Sequence, residues 1–385
     1  MTMLAITIES ISQTLSSWVW SPALVVLCLC SALYFSIRTR FVQVRRFGEM
    51  AKLLFYTDKT QKTGISSFQA FANSVHVAPV YVGVAVAGVL GLVIIGGVTR
   101  IAKVAQIVAP FMALLYIILT IVVLICNYSV IPSVLSDMLK GAVVTHEIFG
   151  GIIGSTIAWG VKRGIYSNEA GQGTGPIVAG AAKVSHPVKQ GLVQAFSVYV
   201  DTLLVCTATA VMIMAVKTYN VMDANTGEVL FASSYNLGAP DVSYTATAIG
   251  TLLGADLGNI IVAVALAFFA FTTIMAYYYY AETSLVYLFG NGRKEHAAIW
   301  VLRICILVAV IFGSVKEARV AWNVGDIGVG AMAWINIIVI LLLSPQALRT
   351  LKDYERQQKE GREPEFNPRK LDIRNADFWD DSTKD

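Results

Sequence analysis

Residues Gly160–Val216 read GVKRGIYSNEAGQGTGPIVAGAAKVSHPVKQGLVQAFSVYVDTLLVCTATAVMIMAV. The second half of this stretch, Leu192–Val216, is an apolar run long enough to cross a bilayer core, which takes roughly 20 helical residues. The first half holds Gly164–Gly175, GIYSNEAGQGTG, with four glycines and Pro176 directly after. Glycine inside a helix costs about 1 kcal/mol per site, so a continuous helix is not expected here. The flanks on both sides are apolar and small, and the segment reads as a helix broken at membrane depth. A surface loop between two spans is the plainer alternative. Irregular backbone inside a bilayer is stable only where it is buried in protein or lines a cavity. Such a break offers free N–H and C=O groups to a carboxylate, an ammonium or a metal cation.

The rest of the chain fits a membrane setting. Of 385 residues, 56% are apolar and 14% charged, against about 45–50% and 25% in soluble domains. That balance excludes a nucleic-acid-binding protein, a disordered regulator and a disulfide scaffold. The charges are also segregated. Residues 346–385 hold 19 of them in 40 positions, and residues 1–345 only 35. This divides the chain into a membrane domain, 1–345, and a charged, solvated tail, 346–385, expected in the cytoplasm with a helical stretch from Gln346 to Glu360. The small basic excess is the positive-inside bias of a membrane protein. Cys28, Cys30, Cys126, Cys206 and Cys305 lie in apolar runs without metal-ligand spacing and read as small core residues.

Eight runs are candidate spans: Trp18–Ile37, Val77–Val98, Ile107–Cys126, Gly141–Gly160, Leu192–Val216, Gly258–Ala281, Ala297–Val315 and Gly328–Leu343. Trp18 and Trp20 are interfacial anchors. Met1–Ser17 has no Lys or Arg, which argues against a signal peptide. Arg38–Lys62 carries seven basic and two acidic residues and belongs inside. Tyr219–Tyr244 is a polar loop expected outside. Asn323–Gly330 is a second, milder interruption.

Ionisable groups within spans are functional candidates. Gln194, Ser197 and Asp201 share one face by three- and four-residue spacing, with Tyr199, Thr202, Cys206 and Thr209 on the adjacent face. This polar network either joins helices or serves transport. Thr272 and Thr273 supply adjacent hydroxyls able to ligate a small hard cation, or else cap their own helix. Thr273 and Tyr277 share a face. Glu169 sits in the break, either as a site residue or as a partner of Lys162 or Arg163. Signatures of zinc proteases, serine hydrolases and P-loop ATPases are missing, and the four histidines are scattered. The pattern is that of a secondary transporter for a small zwitterion or cation, not of an enzyme.

Gly160–Val216 closely resembles the alanine/glycine:cation symporters, also called sodium:alanine symporters. So do ISSFQA at Ile65–Ala70, VIIGGVTRIAKVAQIVAPFMALLY at Val93–Tyr116, AFFAFTTIMAYYYYAE at Ala267–Glu282 and FSIRTRFVQVRRF at Phe35–Phe47. The resemblance implies an all-α, eleven-helix membrane protein of the inverted-repeat amino-acid-transporter (LeuT-like) fold. It implies sodium-driven uptake of alanine or glycine across the bacterial inner membrane, with sodium as co-transported cation and no further cofactor. By motif position, Tyr166, Ser167, Asn168 and Gly171 fall at the substrate, with Thr273 and Tyr277 across from them. Thr272 and Thr273 fall on the cation side.

One departure stands out. The family continues after its ISSFQA-like segment into a first broken helix and two further helices. Here Ile65–Val75 runs directly into His76–Val80, as if an internal block were missing near 75–77 and the first repeat were incomplete. Thr63–Val77 is 15 residues, about 22 Å as helix, against a core of about 30 Å. Eight spans also leave Lys162, Arg163, Lys183, Lys189, Arg293 and Lys294 at odds with the positive-inside rule when the N-terminus is outside. The competing expectation is therefore an internally deleted, non-transporting membrane protein of the same lineage.

Overall fold

The computed structural model describes residues 2–56, 79–95, 101, 114, 116–143, 152–222, 229–235, 237–238, 241–290, 292–315, 318–376 and 379. Among them the chain is all-α, apart from one short hairpin. The first helices are α1 (Thr2–Val19), α2 (Pro22–Arg38), α3 (Val42–Arg45), α4 (Phe47–Tyr56) and α5 (Pro79–Ile94). Then come α6 (Tyr116–Cys126), α7 (Ile131–Val143), α8 (Ile152–Asn168), α9 (Thr174–Ala179) and α10 (Pro187–Val198). A π-helical stretch, Tyr199–Cys206, leads into α11 (Thr207–Ala215). The last are α12 (Ser243–Leu253), α13 (Ala255–Phe289), α14 (Arg293–Val315), α15 (Ala318–Leu342) and α16 (Ser344–Lys359). Two compact units result. One is Met1–Lys59, Ala158–Val200 and Trp322–Asp385; the other is Thr60–Ile157 and Asp201–Ala321.

In the first unit the expected span Trp18–Ile37 is two helices joined at Ser21–Pro22. Pro22 opens α2 at a position where its missing N–H has no helical partner to lose. The Val19 carbonyl, left over at the joint, accepts the Trp334 indole N–H at 2.9 Å. The Trp20 indole N–H in turn reaches the Asp326 carbonyl at 2.8 Å. Further along, Leu24 packs with Ala333 and Ile337. At the far ends Tyr34 Oη and Ser344 Oγ are 3.2 Å apart. Early residues of α2 thus meet early residues of α15, and the two helices run parallel.

The charged C-terminal segment keeps most of its charges exposed but is docked on the first unit. Tyr354 on α16 is buried with Met50 of α4 and Leu192 of α10. Its hydroxyl donates to Glu49 Oε1 at 2.6 Å. Glu355 pairs with Arg45 at 2.5 Å and with Arg46 at 3.5 Å, and Lys189 pairs with Glu363. Ser185 Oγ donates to the Pro364 carbonyl at 2.9 Å, and the Phe366 N–H to the Ser185 carbonyl at 3.0 Å. A few of its charges meet residues distant in sequence: Glu355 meets Arg45 and Arg46, and Glu363 meets Lys189. The Glu49 carboxyl, despite burial, is held below the usual carboxylate range by hydrogen bonds from Tyr354, Arg46 and Gln358. Burial, together with the bond to Glu49, pushes the Tyr354 phenol up.

In the second unit Gly254, at φ +89°, turns α12 back onto α13. Their contact is so close that a Cβ on Gly258 would lie 2.7 Å from the Ala246 carbonyl oxygen. Leu90, Val93 and Ile94 of α5 pack with Met275 and Tyr278 of α13 and with Leu307 of α14. The Arg303 Nε–H donates to Tyr278 Oη at 2.9 Å, and its guanidinium is 3.6 Å from Glu282. Asn220 knits the Tyr219–Tyr244 region: it donates to the Leu237 carbonyl at 2.7 Å and accepts from the Ser233 N–H at 2.8 Å. There Val221–Met222 pairs antiparallel with Val229–Phe231.

Several expectations change. Among the described residues, five helices are long and apolar enough to cross a membrane, or six when the α6–α7 pair, bent by 79°, counts as one. Of the expected Val77–Val98 span, Pro79–Ile94 is described as helix. Of the expected Gly141–Gly160 span, residues 141–143 close α7 and residues 152–160 open α8, which runs on into the NEAG segment. The junction at 63–77 lies outside the described residues. Asn323–Gly330 is no interruption, because α15 is continuous through it. Cys30, Cys126, Cys206 and Cys305 are exposed rather than core. An apolar position on a membrane helix faces lipid as readily as protein, since lipid tails are as apolar as a protein core.

Candidate functional site

The NEAG segment is a helix break built from side chains. Helix α8 ends at Asn168, whose Oδ1 accepts the Ala170 N–H at 2.9 Å. Glu169 takes a left-handed φ of +56°, and Gly171 and Gly173 follow at +102° and +90°. Left-handed backbone costs roughly 1–2 kcal/mol for a residue with a Cβ, which explains glycine at two of the three positions. The buried Gln172 side chain donates to the Ile165 carbonyl at 2.7 Å and so caps α8. The Thr174 hydroxyl donates to Glu169 Oε2 at 2.7 Å where α9 begins, with both residues buried. From α15, Asn336 Nδ2 donates to the Gly171 carbonyl at 2.9 Å. A Cβ on Gly173 would lie 3.1 Å from Asn336 Oδ1. The break is thus fixed from within and from the neighbouring helix.

Its depth follows from its neighbours on α15. Tyr166 lies against Gly325, where a Cβ would stand 2.9 Å from the phenol oxygen. Gly171 lies against Asn336. His186 lies against Asp353 on α16, at 3.6 Å. Broken helix α8–α9 therefore descends parallel to α15, and the break straddles the middle of the apolar Trp322–Leu342 helix. His186 caps α10 by accepting the Val188 N–H at 3.3 Å. It is fully buried between the rings of Tyr354 and Phe366. Burial holds the imidazole neutral, with its pKa lowered to about 4, although Asp353 pulls the other way.

Lys162 and Arg163 are not loop residues. Lys162 forms an ion pair with Asp326 Oδ2, and Arg163 lies 3.6 Å from Asp326 Oδ1. Both cations also sit over aromatic rings: Lys162 over Trp20 and Trp159, and Arg163 over Trp159, Tyr166 and Trp322. Asp326 thus holds the pair that sequence offered to Glu169. Sequence reasoning placed Asp326 within an interruption and passed over Asn336. A polar side chain inside an apolar helix was the available signal in both cases.

Among the predicted residues, Tyr166, Ser167, Asn168 and Gly171 lie at the break in the first unit. Thr272, Thr273 and Tyr277 lie on α13 in the second. Thr272 and Thr273 are buried, and both hydroxyls donate to the Phe269 carbonyl, at 3.0 and 2.9 Å. A hydroxyl that donates its proton keeps its lone pairs, so capping and cation ligation are compatible. The Tyr277 ring meets that of Tyr280 edge-on at 5.5 Å. One turn away, Phe269 lines an apolar cavity of about 240 Å3, together with Tyr116, Val205 and Thr209.

The expected Gln194–Asp201 face is altered. Gln194 is on α10, whereas Asp201 and Thr202 lie in the π-helical stretch. The wider turn slips the 3.6-residue phase past Tyr199. Thr202 donates to Asp201 Oδ2 at 3.3 Å, and Thr207 reaches back five residues to the Thr202 carbonyl at 3.1 Å.

Comparison with known proteins places this architecture. The model of the sodium:alanine symporter family matches residues 5–78 and 72–368, dividing where the family motifs run discontinuous. The chain is 51% identical over 308 residues to the putative sodium/proton-dependent alanine carrier YrbD of Bacillus subtilis, covering 80% of this chain and 63% of that protein. It is 48% identical over 315 residues to the sodium/proton-dependent alanine carrier of Bacillus sp. strain PS3, covering 82% of this chain and 70% of that one. To the sodium/alanine symporter AgcS of Methanococcus maripaludis it is 34% identical, covering 75% and 60%. The chain therefore spans a little under two thirds of the length of most of these relatives. Matched across nearly all of its residues, and carrying a side-chain-built helix break among apolar membrane helices, the chain belongs to the sodium:alanine symporter family.

Proposed function

We propose that this chain is a sodium-coupled symporter of a small neutral amino acid, alanine or glycine. It works by alternating access in the bacterial inner membrane, with the C-terminal segment cytoplasmic. The observation that carries the reading is the buried break Asn168–Gly173, held open by Gln172, Glu169–Thr174 and Asn336. Such a break sets backbone donors and acceptors at mid-depth, where a zwitterion must shed its water. Tyr166, Ser167, Asn168, Gly171, Thr273 and Tyr277 contact the substrate in this reading. Thr272 and Thr273 offer hydroxyl oxygens to sodium, a hard cation, with no resident metal or cofactor. The fold assigned to it is the inverted-repeat (LeuT-like) one, with the first repeat incomplete near 75–77. The names of the alanine-carrying relatives support this substrate class.

Uptake of labelled alanine into proteoliposomes under an inward sodium gradient tests the proposal. Uptake that collapses without sodium is the expected result. Its absence in well-reconstituted protein sinks the activity. A second reading, an internally deleted chain that no longer transports, is favoured by two facts: the coverage of 63% and the division of the family match at 72–78. Under it, inserting the missing block from a relative creates sodium-dependent uptake that the native chain lacks.

A further inference from the structure

We infer that Arg163 is the docking group for the carboxylate of the incoming amino acid, at the mouth of the break. The inference rests on the reading of the chain as a carrier of small zwitterions. Charge counting comes first. Lys162, Arg163 and Asp326 form one cluster with two cations and one carboxylate. Asp326 is spent mainly on Lys162, and both of those side chains are nearly buried, at 8% and 14% exposure. Arg163 is left 3.6 Å from the shared carboxylate with 42% of its side chain exposed. The surplus positive charge therefore resides on the most exposed member of the cluster.

Geometry fixes that charge in place. The guanidinium carbon lies 5.1 Å from the ring centre of Trp159, 5.4 Å from Tyr166 and 5.6 Å from Trp322. Three rings restrain a side chain that is otherwise rich in rotamers, so less freedom is lost on binding. A planar guanidinium offers paired N–H donors that match the two oxygens of a carboxylate. Tyr166, one of the three rings, is two residues before Asn168, where the break begins.

Position supplies the third strand. The cluster lies level with Trp20, at the start of α2, while Arg38, Arg45 and Arg46 lie at its other end. Positive charge gathers on one side of a membrane protein as a topological signal. Lys162 and Arg163 stand at the opposite end from that band, so topology does not account for them. One carboxylate shared between two cations leaves one positive charge over, on the side of the more loosely paired Arg163.

The test reads Arg163 itself. Purified full-length protein is treated with phenylglyoxal, which modifies accessible guanidinium groups, and the Arg163 peptide is quantified by mass spectrometry. L-alanine is expected to slow modification at Arg163 about fivefold or more, and L-alaninamide, which lacks the carboxylate, is expected not to. Equal slowing by both compounds, or by neither, overturns the inference. The companion measurement is uptake: Arg163→Gln raises the KM for alanine about tenfold with the maximal rate held within about twofold, and Arg163→Lys recovers part of the loss. An unchanged KM in Arg163→Gln also overturns it. Protection by alanine in a chain that shows no uptake supports the docking site and refutes the transport reading, so the two failures are separable.

Discussion

Two stretches of the first unit carry nearly the same glycine density and end up as opposites. Gly171, Gly173 and Gly175 lie in a broken helix; Gly325, Gly328 and Gly330 lie in a continuous one. In the first, glycine supplies left-handed φ values, and Asn168, Gln172 and Asn336 take over the backbone groups that leave the helix. In the second, glycine supplies room. A Cβ on Gly330 would sit 2.9 Å from Trp20 Nε1, and one on Gly325 equally close to the Tyr166 oxygen. Glycine only makes departure from the helix cheap. The break forms where side chains stand ready to satisfy the freed backbone, and where they do not, the helix persists and a neighbouring helix moves in.

Four substitutions press on this contrast. The largest effect is expected from Asp326→Asn, which removes the only carboxylate that the described structure sets against Lys162 and Arg163. Stranding a buried charge costs about 3–5 kcal/mol. Thermal unfolding in detergent is expected to fall accordingly, with much of the loss recovered by pairing Lys162→Met with Asp326→Leu. Gly330→Val comes next, since its side chain must enter the space held by Val19 and Trp20. Overpacking of this kind costs about 1–3 kcal/mol. A melting curve like that of the parent protein would remove close helix approach as the role of this glycine. Gly173→Ala places a Cβ at φ +90° and against Asn336, for a loss of about 1–2 kcal/mol from backbone strain alone. Adding Asn336→Ala should relieve the contact but not the strain, and a double-mutant cycle separates the two. Gly328→Ala is the smallest change and has the opposite sign. It meets nothing within 4 Å in a continuous helix, so a gain of about 0.5–1 kcal/mol in thermal stability is expected. A loss there would mean that α15 needs its flexibility.

Much of this was legible in the chain itself. The membrane class follows from the shortage of charges, and the NEAG break follows from four glycines and a proline between apolar flanks. What could not be read is tertiary. Nothing local distinguishes Gly325–Gly330 from a second break, because the difference lies in which side chains arrive from α2 and α8. The π-helical turn at Tyr199–Cys206 defeats any argument built on a fixed period of 3.6. The C-terminal segment misleads by composition. It looks like a free tail until Arg45, Arg46, His186 and Lys189, distant in sequence, are seen to hold Glu355, Asp353 and Glu363, and Glu49 to hold Tyr354. Asp326 illustrates the same limit at the site: an acid and two bases far apart in sequence were each visible, but not their meeting.

The parallel run of α2, α8–α9 and α15 is also a statement about parity. Spans that point the same way must be separated by an odd number of crossings. Among the described residues, three span-length helices stand between the end of α9 and the start of α15, Pro187–Ala215, Ala255–Phe289 and Arg293–Ser314, and three is odd. Within the first unit the same direction brings Arg45, Arg46 and Lys189 to the end where α15 delivers the acidic residues Glu355 and Glu363, so the basic residues after α2 and before α10 share one end of the unit with the C-terminal segment.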